Sequence, residues 1–343
     1  MKVKTFTQVI LTLVLGFCFL QKPAVQAAVA NDAAQFTISP VYPREQRPDT
    51  TGYFALKTRP KTTVPVKVKI TNLNSDTDVD YIVRVGNATT TDNGAINYTD
   101  FRTKKDPTAA FQLTQFVPKK ERTQQVTVAA HKSTTVSINL RLPRQKFNGT
   151  IAGGIYVERM TNAHVDTKSK LSAQNHFAMT LPVLVSQQEH PDQVAQMKLK
   201  AVKVQKGPKI SATLRNTRPV LFGKLKIYAQ ITKQGQTKVL AQRQVQNYQV
   251  APNSTFNFLV TDHNQLGAGK YTLTLHLQSG KRKWNLRQNF TITGSQGVPF
   301  AKQKGWLGLS QLIWLLIGFL VLLIIILCGI IIAQNKRLNK KNK

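Results

Sequence analysis

Cysteine is nearly missing from this chain of 343 residues: only Cys18 and Cys328 carry thiols, each inside an apolar stretch close to one end. Everything between them must hold together without disulfides and without a thiolate metal cluster or cysteine nucleophile. That excludes the disulfide-dense class of small secreted domains and suits an exported bacterial protein. Acid is scarce as well, with 15 Asp and Glu against 48 Lys and Arg, a formal charge of +33. The six histidines, His131, His164, His176, His190, His263 and His276, stand singly, with no HExxH pair and no acid at metal-ligand spacing. No GxSxG turn is present, so a serine hydrolase of that type is excluded. Asp76, Asp78 and Asp80 have the spacing of a calcium loop. Tyr81 stands where that loop needs glycine and Asn87 where it needs a bidentate acid, so the run reads as a solvated hairpin turn. No metal and no cofactor is expected.

Helical periodicity is absent except in one run, Leu312 to Ala333, which has 22 residues without a charge. At ~1.5 Å per residue such a helix crosses the ~30 Å core of a bilayer, and the basic tail at 334–343 predicts a cytoplasmic C-terminus. At the other end Lys2 and Lys4 precede an apolar segment and small residues near Ala27, the pattern of a signal peptide over 1–27. The expectation is a single-pass membrane protein with its body outside the cell.

That body alternates apolar and polar residues with period two. Val64, Val66, Val68 and Ile70 form one such set, and Val79, Tyr81, Val83 and Val85 another; Val136, Ile138, Leu140 and Leu142 repeat it. Further on, Ile210, Ala212 and Leu214, then Leu225, Ile227, Ala229 and Ile231, then Tyr271, Leu273, Leu275 and Leu277 do the same. Such strands between turn residues predict an all-β fold: two immunoglobulin-like antiparallel β-sandwiches in tandem, with the C-terminal transmembrane helix added. The boundaries fall at 28–187 for the first sandwich, 188–193 for a linker broken by Pro191, 194–293 for the second, and 294–311 for a stalk.

Charge divides unevenly between the two. Residues 28–193 hold 21 basic against 14 acidic side chains, whereas 194–305 hold 19 against one, Asp262. A glycosidase would have to draw both its carboxylates from the first sandwich. A basic domain outside a cell faces teichoic-acid phosphates, lipid headgroups, acidic polysaccharide or acidic protein. Nucleic acid is excluded by compartment and by the lack of an aromatic-interleaved basic motif. Two stretches qualify as binding surfaces. Asn87, Thr89, Thr91, Asn93 and Tyr98 offer hydroxyls, amides and a ring to a sugar; the plainer reading makes Asn93-Gly94 a type I′ hairpin turn. Lys281, Arg282, Lys283 and Trp284 form a cationic, aromatic surface, or Trp284 enters the core in alternation with Leu286. Gly149, Gly153 and Gly154 admit a bulge or a close backbone approach.

Several stretches resemble the WxL-interacting proteins of Gram-positive bacteria. FTISPVYPREQRPDTTGY from Phe36, ITNLNSDTDVDYIVRVGNATTTDNGAINY from Ile70 and RLPRQKFNGTIAGGIYV from Arg141 are similar to that family's first exported domain. APNSTFNFLV from Ala251, LGAGKYTLTLHL from Leu266 and KWNLRQNFTIT from Lys283 are similar to its second. The resemblance implies peptidoglycan binding by the first domain, host-component binding by the second, and WxL-domain surface proteins as partners. It implies a non-catalytic adhesin or scaffold; a cell-wall hydrolase is the alternative. Where the family has Pro-Gly after its YF-x-L stretch this chain has Pro60-Lys61, which predicts a changed loop in place of a type II turn.

Overall fold

Alternation of β-branched residues with lysine is what builds the first sheet. Val64, Val66, Val68 and Ile70 are fully buried while Lys67 and Lys69 between them face solvent. A computed structural model describes residues 35–160, 176–189, 193–205, 209–261, 266–294, 316–317 and 319–320. In chain order the strands are β1 (Phe36–Val41), β2 (Phe54–Lys57), β3 (Thr63–Asn72), β4 (Val79–Thr90), β5 (Ile96–Asp100), β6 (Thr123–Val128), β7 (Ser133–Arg141) and β8 (Thr150–Arg159). They continue as β9 (Ala178–Ser186), β10 (Met197–Gln205), β11 (Lys209–Asn216), β12 (Phe222–Lys233), β13 (Val239–Val250), β14 (Thr255–Thr261), β15 (Gly269–Ser279) and β16 (Arg282–Ile292). Two compact units result. The first takes the described residues through Gly86, Leu113–Gln145 and Gly154–Leu184; the second takes Asn87–Gln112, Lys146–Gly153 and those from Val185 onward.

In the first unit β3 lies between β1 and β7, antiparallel to both, so that Ile38 faces Ile70 and Val66 faces Ile138 across the ladder. The opposing layer carries β2, β9, β8 and β4 in that order, with β6 paired to the first half of β4. Phe36 of β1 packs its ring 5.0 Å from that of Tyr81 on β4, which places the core between the layers. Each fully buried valine or isoleucine here stabilises the fold by ~1.5–3 kcal/mol. Tyr81 is buried, and its hydroxyl has no hydrogen-bond partner among the described residues. Burial pushes its pKa up, and the charge of Arg159 pulls the other way.

The second unit repeats the plan with sheets β10-β11-β14 and β13-β12-β15-β16. Their facing sides share one core: Met197, Ile210, Ala212 and Leu214 from the first sheet meet Leu225, Ile227, Ala229, Leu273 and Leu275 from the second. This unit also contains the last four residues of β4 with β5, paired Asn87 to Asp100, Thr89 to Asn97 and Thr90 to Ile96, and the opening of β8.

One device recurs in both units. Asn72 closes β3 and is fully buried; its amide donates to the carbonyls of Thr77 (2.9 Å), Val128 (3.0 Å) and Ala129 (3.3 Å), and its side-chain oxygen accepts from the Asn74 N–H (2.9 Å). Asn216 closes β11, equally buried, with its amide on Val220 O (2.8 Å) and Ala251 O (3.0 Å) and its oxygen accepting from Arg218 N–H (3.2 Å). Backbone bonds match too. Asn72 N–H donates to Lys132 O and His131 N–H to Asn74 O, as Asn216 N–H does to Ser254 O and Asn253 N–H to Arg218 O. His131 and Asn253 both take the left-handed conformation, at φ 55° and 44°. A buried carboxamide thus ties a strand end to the turn that starts a later strand, bonding one buried carbonyl in each unit, Val128 O or Ala251 O, along with part-buried ones.

The all-β expectation stands with one correction. No helix among the described residues is long and apolar enough to cross a membrane, so the described fold is all-β without the expected C-terminal transmembrane helix. Of 312–333 only 316–317 and 319–320 are described, as exposed helical residues. The signal peptide expected at 1–27, the cytoplasmic tail expected at 334–343, the expected stalk beyond Gly294 and the expected linker break at 190–192 lie outside the described residues.

Two turns also differ from expectation. Lys61 adopts φ 59°, so the Pro60-Lys61 turn keeps the left-handed position that a glycine would fill. At the tip of β4 and β5 only Gly94 is left-handed (φ 82°), whereas a type I′ turn needs Asn93 there as well. The loop is instead Asp92-Asn93-Gly94, closed by Gly94 N–H to Thr91 O and Thr91 N–H to Ala95 O, both 2.9 Å. Thr91 explains the choice. Its one hydroxyl proton lies within reach of both the Asn93 side-chain oxygen and Ala95 O, and its oxygen accepts from Ala95 N–H, tying the three-residue loop together.

Candidate functional site

The glycan-facing stretch proposed from the sequence is split by the structure. Thr91 and Asn93 belong to the hairpin tip just described; Tyr98 lies half-buried on β5. The tip is seated on the second sandwich. Gly94 lies flat on the Tyr248 ring, where an added Cβ would come 2.1 Å from Cγ, and its carbonyl accepts from Gln249 N–H at 2.7 Å. The Asp92 carboxylate accepts from Asn257 N–H at 2.7 Å, and Thr90 Oγ1 accepts from Ala251 N–H at 2.9 Å. Burial raises the pKa of Tyr248; Arg243 lowers it and Asp92 adds to the rise.

Asn87 and Thr89, by contrast, line a cavity of about 340 Å³ that lies wholly within the second unit. Its floor is apolar, from Pro107, Ala109, Phe111, Ile151 and Ala152, with the Phe111 ring 5.9 Å from that of Phe147. Its polar wall comes from Thr103, Lys104, Lys105, Asp106, Lys200, Arg215, Asn253, Ser254 and Thr255. Asp106 is the one acid of this lining, and it is fully engaged. One oxygen accepts from Thr108 N–H (2.9 Å) and Thr108 Oγ1 (2.7 Å); the other meets Arg215 Nε (3.1 Å) and Thr255 Oγ1 (3.2 Å). Asn253 donates to Thr108 O, Thr108 Oγ1 and Thr217 O at 3.0, 3.0 and 3.2 Å, fastening the loop before β14 to the loop after β5. Asp100, at the end of β5, is pulled upward in pKa by burial. Hydrogen bonds from Thr103, Arg102 N–H and Thr89 outweigh that and hold its carboxyl below the usual range.

The second stretch proposed from the sequence is also divided. Lys281 sits in the two-residue turn between β15 and β16, and Arg282 and Lys283 start β16, all three exposed. Trp284 is buried, 5.9 Å from the Phe222 ring and opposite Leu277. The correction follows directly: Trp284 is a core residue, and the cationic hairpin has no aromatic partner from it. Gly149 has the close-approach role, since an added Cβ would meet Pro219 O at 2.4 Å. Asp78 and Asp80 accept hydrogen bonds from Ala130 N–H and Thr127 Oγ1, as hairpin residues do, and no group of His, Cys, Asp and Glu able to hold a metal occurs among the described residues.

Two family models match in succession. Residues 36–159 match the WxL Interacting Protein peptidoglycan binding domain and residues 168–302 the WxL Interacting Protein host binding domain. The chain belongs to the WxL-interacting protein family. In this family member the two roles are binding roles, one toward peptidoglycan and one toward a host. A comparison with curated proteins finds no match. Among solved structures, the CsuC–CsuE chaperone–adhesin pre-assembly complex of Acinetobacter baumannii is 14% identical, covering 76% of this chain and 99% of that one at a TM-score of 0.32. The Pseudomonas aeruginosa CupB2 chaperone is 11% identical over 66% and 92% of the two chains (TM-score 0.27), and the E. coli chaperone DraB 12% over 66% and 89% (TM-score 0.24). Scores this low transfer neither fold detail nor partner.

The limits of the family domains and of the compact units do not coincide. Asn87–Gln112 and Lys146–Gly153 lie inside the peptidoglycan-binding match yet cluster with the second unit. Sequence reasoning missed Lys104, Asp106, Phe111, Lys200, Arg215 and Asn253, which meet only through that clustering.

Proposed function

We propose that this WxL-interacting protein is a non-catalytic binding scaffold on the outer face of a Gram-positive cell. It holds wall peptidoglycan, engages WxL-domain surface proteins, and presents its basic second domain to a host component. The observation that carries the reading is the cavity. An apolar floor with a ring and a rim of hydroxyl, carboxamide and ammonium groups is what a sugar needs, one face for its C–H groups and donors for its oxygens. The carboxylate there has its lone pairs occupied by Thr108, Thr255 and Arg215, which leaves no acid placed to protonate a glycosidic oxygen.

The test is retention of the purified protein on wall sacculi across a salt series, with sugar release followed in the same tubes. Retention without release supports the scaffold; release of soluble sugar overturns it in favour of a wall hydrolase. For the WxL partner, crosslinking on intact cells followed by mass spectrometry is expected to capture a WxL-domain protein, and capture of wall material alone removes that partner from the reading.

A further inference from the structure

This inference rests on the wall-binding reading and adds the chemistry of the ligand. We infer that the cavity of the second unit takes an oxyanion carried on a wall polymer, a carboxylate or a phosphodiester, between Lys104, Lys105, Lys200 and the outer edge of Arg215.

Charge balance is the first reason. Four cations and one acid line the cavity, and that acid is already paired with Arg215, so three ammonium groups remain uncompensated. Hydrogen bonding is the second. Lys104 and Lys200 donate to no described residue, and Arg215 spends only Nε, on Asp106 and Thr255, so its two terminal nitrogens have no acceptor among the described residues. The Arg215 and Asp106 side chains are only 15% and 12% exposed. The guanidinium is therefore held in a fixed orientation before any ligand arrives, which is the arrangement that favours a planar or tetrahedral oxyanion.

The backbone supplies the third reason. On the β10–β11 ladder Leu199 pairs with Leu214 and Ala201 with Thr213, leaving Lys200 without a partner in a β-bulge. Lys198 pairs with Arg215, so period-two alternation puts Lys200 on the Arg215 face just before the register shifts, and both residues line the cavity. The volume, at the lower end of small-ligand sites, suits one sugar-sized unit with its charged substituent.

The experiment compares the full chain with Lys104→Gln/Lys200→Gln and with Lys281→Gln/Lys283→Gln, which removes the same charge from the hairpin outside the cavity. Two probes are used: sacculi freed of teichoic acid, which offer carboxylates, and soluble poly(glycerol phosphate), which offers phosphodiesters. The cavity variant is expected to bind one probe about tenfold more weakly, with unchanged thermal unfolding since neither ammonium bonds to a described residue, and Lys200→Arg is expected to retain binding. The hairpin variant is expected to lose under about twofold. The probe that is lost names the source of the oxyanion. Equal loss in both double variants, or none in the cavity variant while wild type binds, overturns this inference and leaves the wall-binding reading standing. A wild-type protein retained by neither probe overturns both.

Discussion

Compare the turn at His131 in the first unit with the turn at Asn253 in the second. Both are left-handed, both follow an alanine whose carbonyl is clasped by a buried asparagine, and both begin a strand of a three-stranded sheet. His131 is exposed and, among the described residues, bonds through its backbone alone. Asn253 is buried, and its amide reaches Thr108 and Thr217. The difference teaches how a site grows from a structural part: the same clasp, capped by solvent in one unit, becomes the wall of a cavity in the other once a side chain at the turn can bond outward.

The largest expected effect comes from cutting the clasp itself. Asn72→Ala takes the side-chain donor from one buried and two part-buried carbonyls, and Asn216→Ala from one part-buried carbonyl and from Ala251 O, which keeps Ser254 Oγ, at a cost of about 1–3 kcal/mol each. Hydrogen exchange read by mass spectrometry should show β3 and β7 losing protection in the first variant and β11 and β14 in the second. Only Asn216→Ala should also weaken retention on sacculi. If both variants bind as wild type, the cavity does not depend on its clasp and the comparison loses its functional half.

Next in size is the seat of the hairpin tip. Gly94→Ala introduces a Cβ into the Tyr248 ring at a left-handed position, whereas Gly235→Ala, at φ 79°, meets nothing within 4 Å. Strain alone accounts for about 1 kcal/mol, so Gly235→Ala should cost that, and Gly94→Ala about 2–3 kcal/mol. Chemical denaturation followed by the emission of buried Trp284 measures both. Equal losses would mean that the tip is not packed against Tyr248.

How much of this was legible beforehand follows the range of the interactions. The alternating sets Val64 to Ile70 and Leu225 to Ile231 were readable because a period-two pattern is local, and every member is buried. The clasp was readable in principle, since ITNLN at Ile70 and VAAHKST at Val128 have counterparts in LRNTR at Leu214 and VAPNST at Val250. Its meaning needs the hydrogen bonds. Trp284 was ambiguous because a core position and a binding face both follow alternation. The cavity was not legible: Lys104, Arg215 and Asn253 lie far apart in the chain, and no local spacing marks a site that only tertiary pairing assembles.

A smaller effect, confined to acid, sharpens the second unit's side of the comparison. The folded pKa of Asp100 is depressed by its hydrogen bonds, so its contribution to stability is complete above the carboxylate's unfolded pKa of about 3.9 and is lost as pH falls through the lower folded value. Asp100→Asn should therefore flatten the fall in stability below about pH 4 and lower stability at neutral pH. Denaturation midpoints across pH 2 to 7, in buffers of about constant ionic strength, check it. An unchanged acid limb would show that the bonds from Thr103 and Thr89 are worth no more than those water makes to the unfolded chain.

The smallest effect tests whether the two units tolerate the same strain. Lys61 in the first unit and Lys224 in the second are exposed, with φ 59° and 53°. Lys224 lies where the β12–β13 register shifts. A left-handed lysine costs about 1–2 kcal/mol, while glycine at the same place loses about 0.5–1 kcal/mol in chain entropy, so Lys61→Gly and Lys224→Gly should each gain roughly 0.5 kcal/mol. The double variant should gain the sum, because the two sites belong to different units. A gain at Lys61 with a loss at Lys224 would mean that the bulge in β12 depends on its lysine, so that the two units do not tolerate left-handed strain alike.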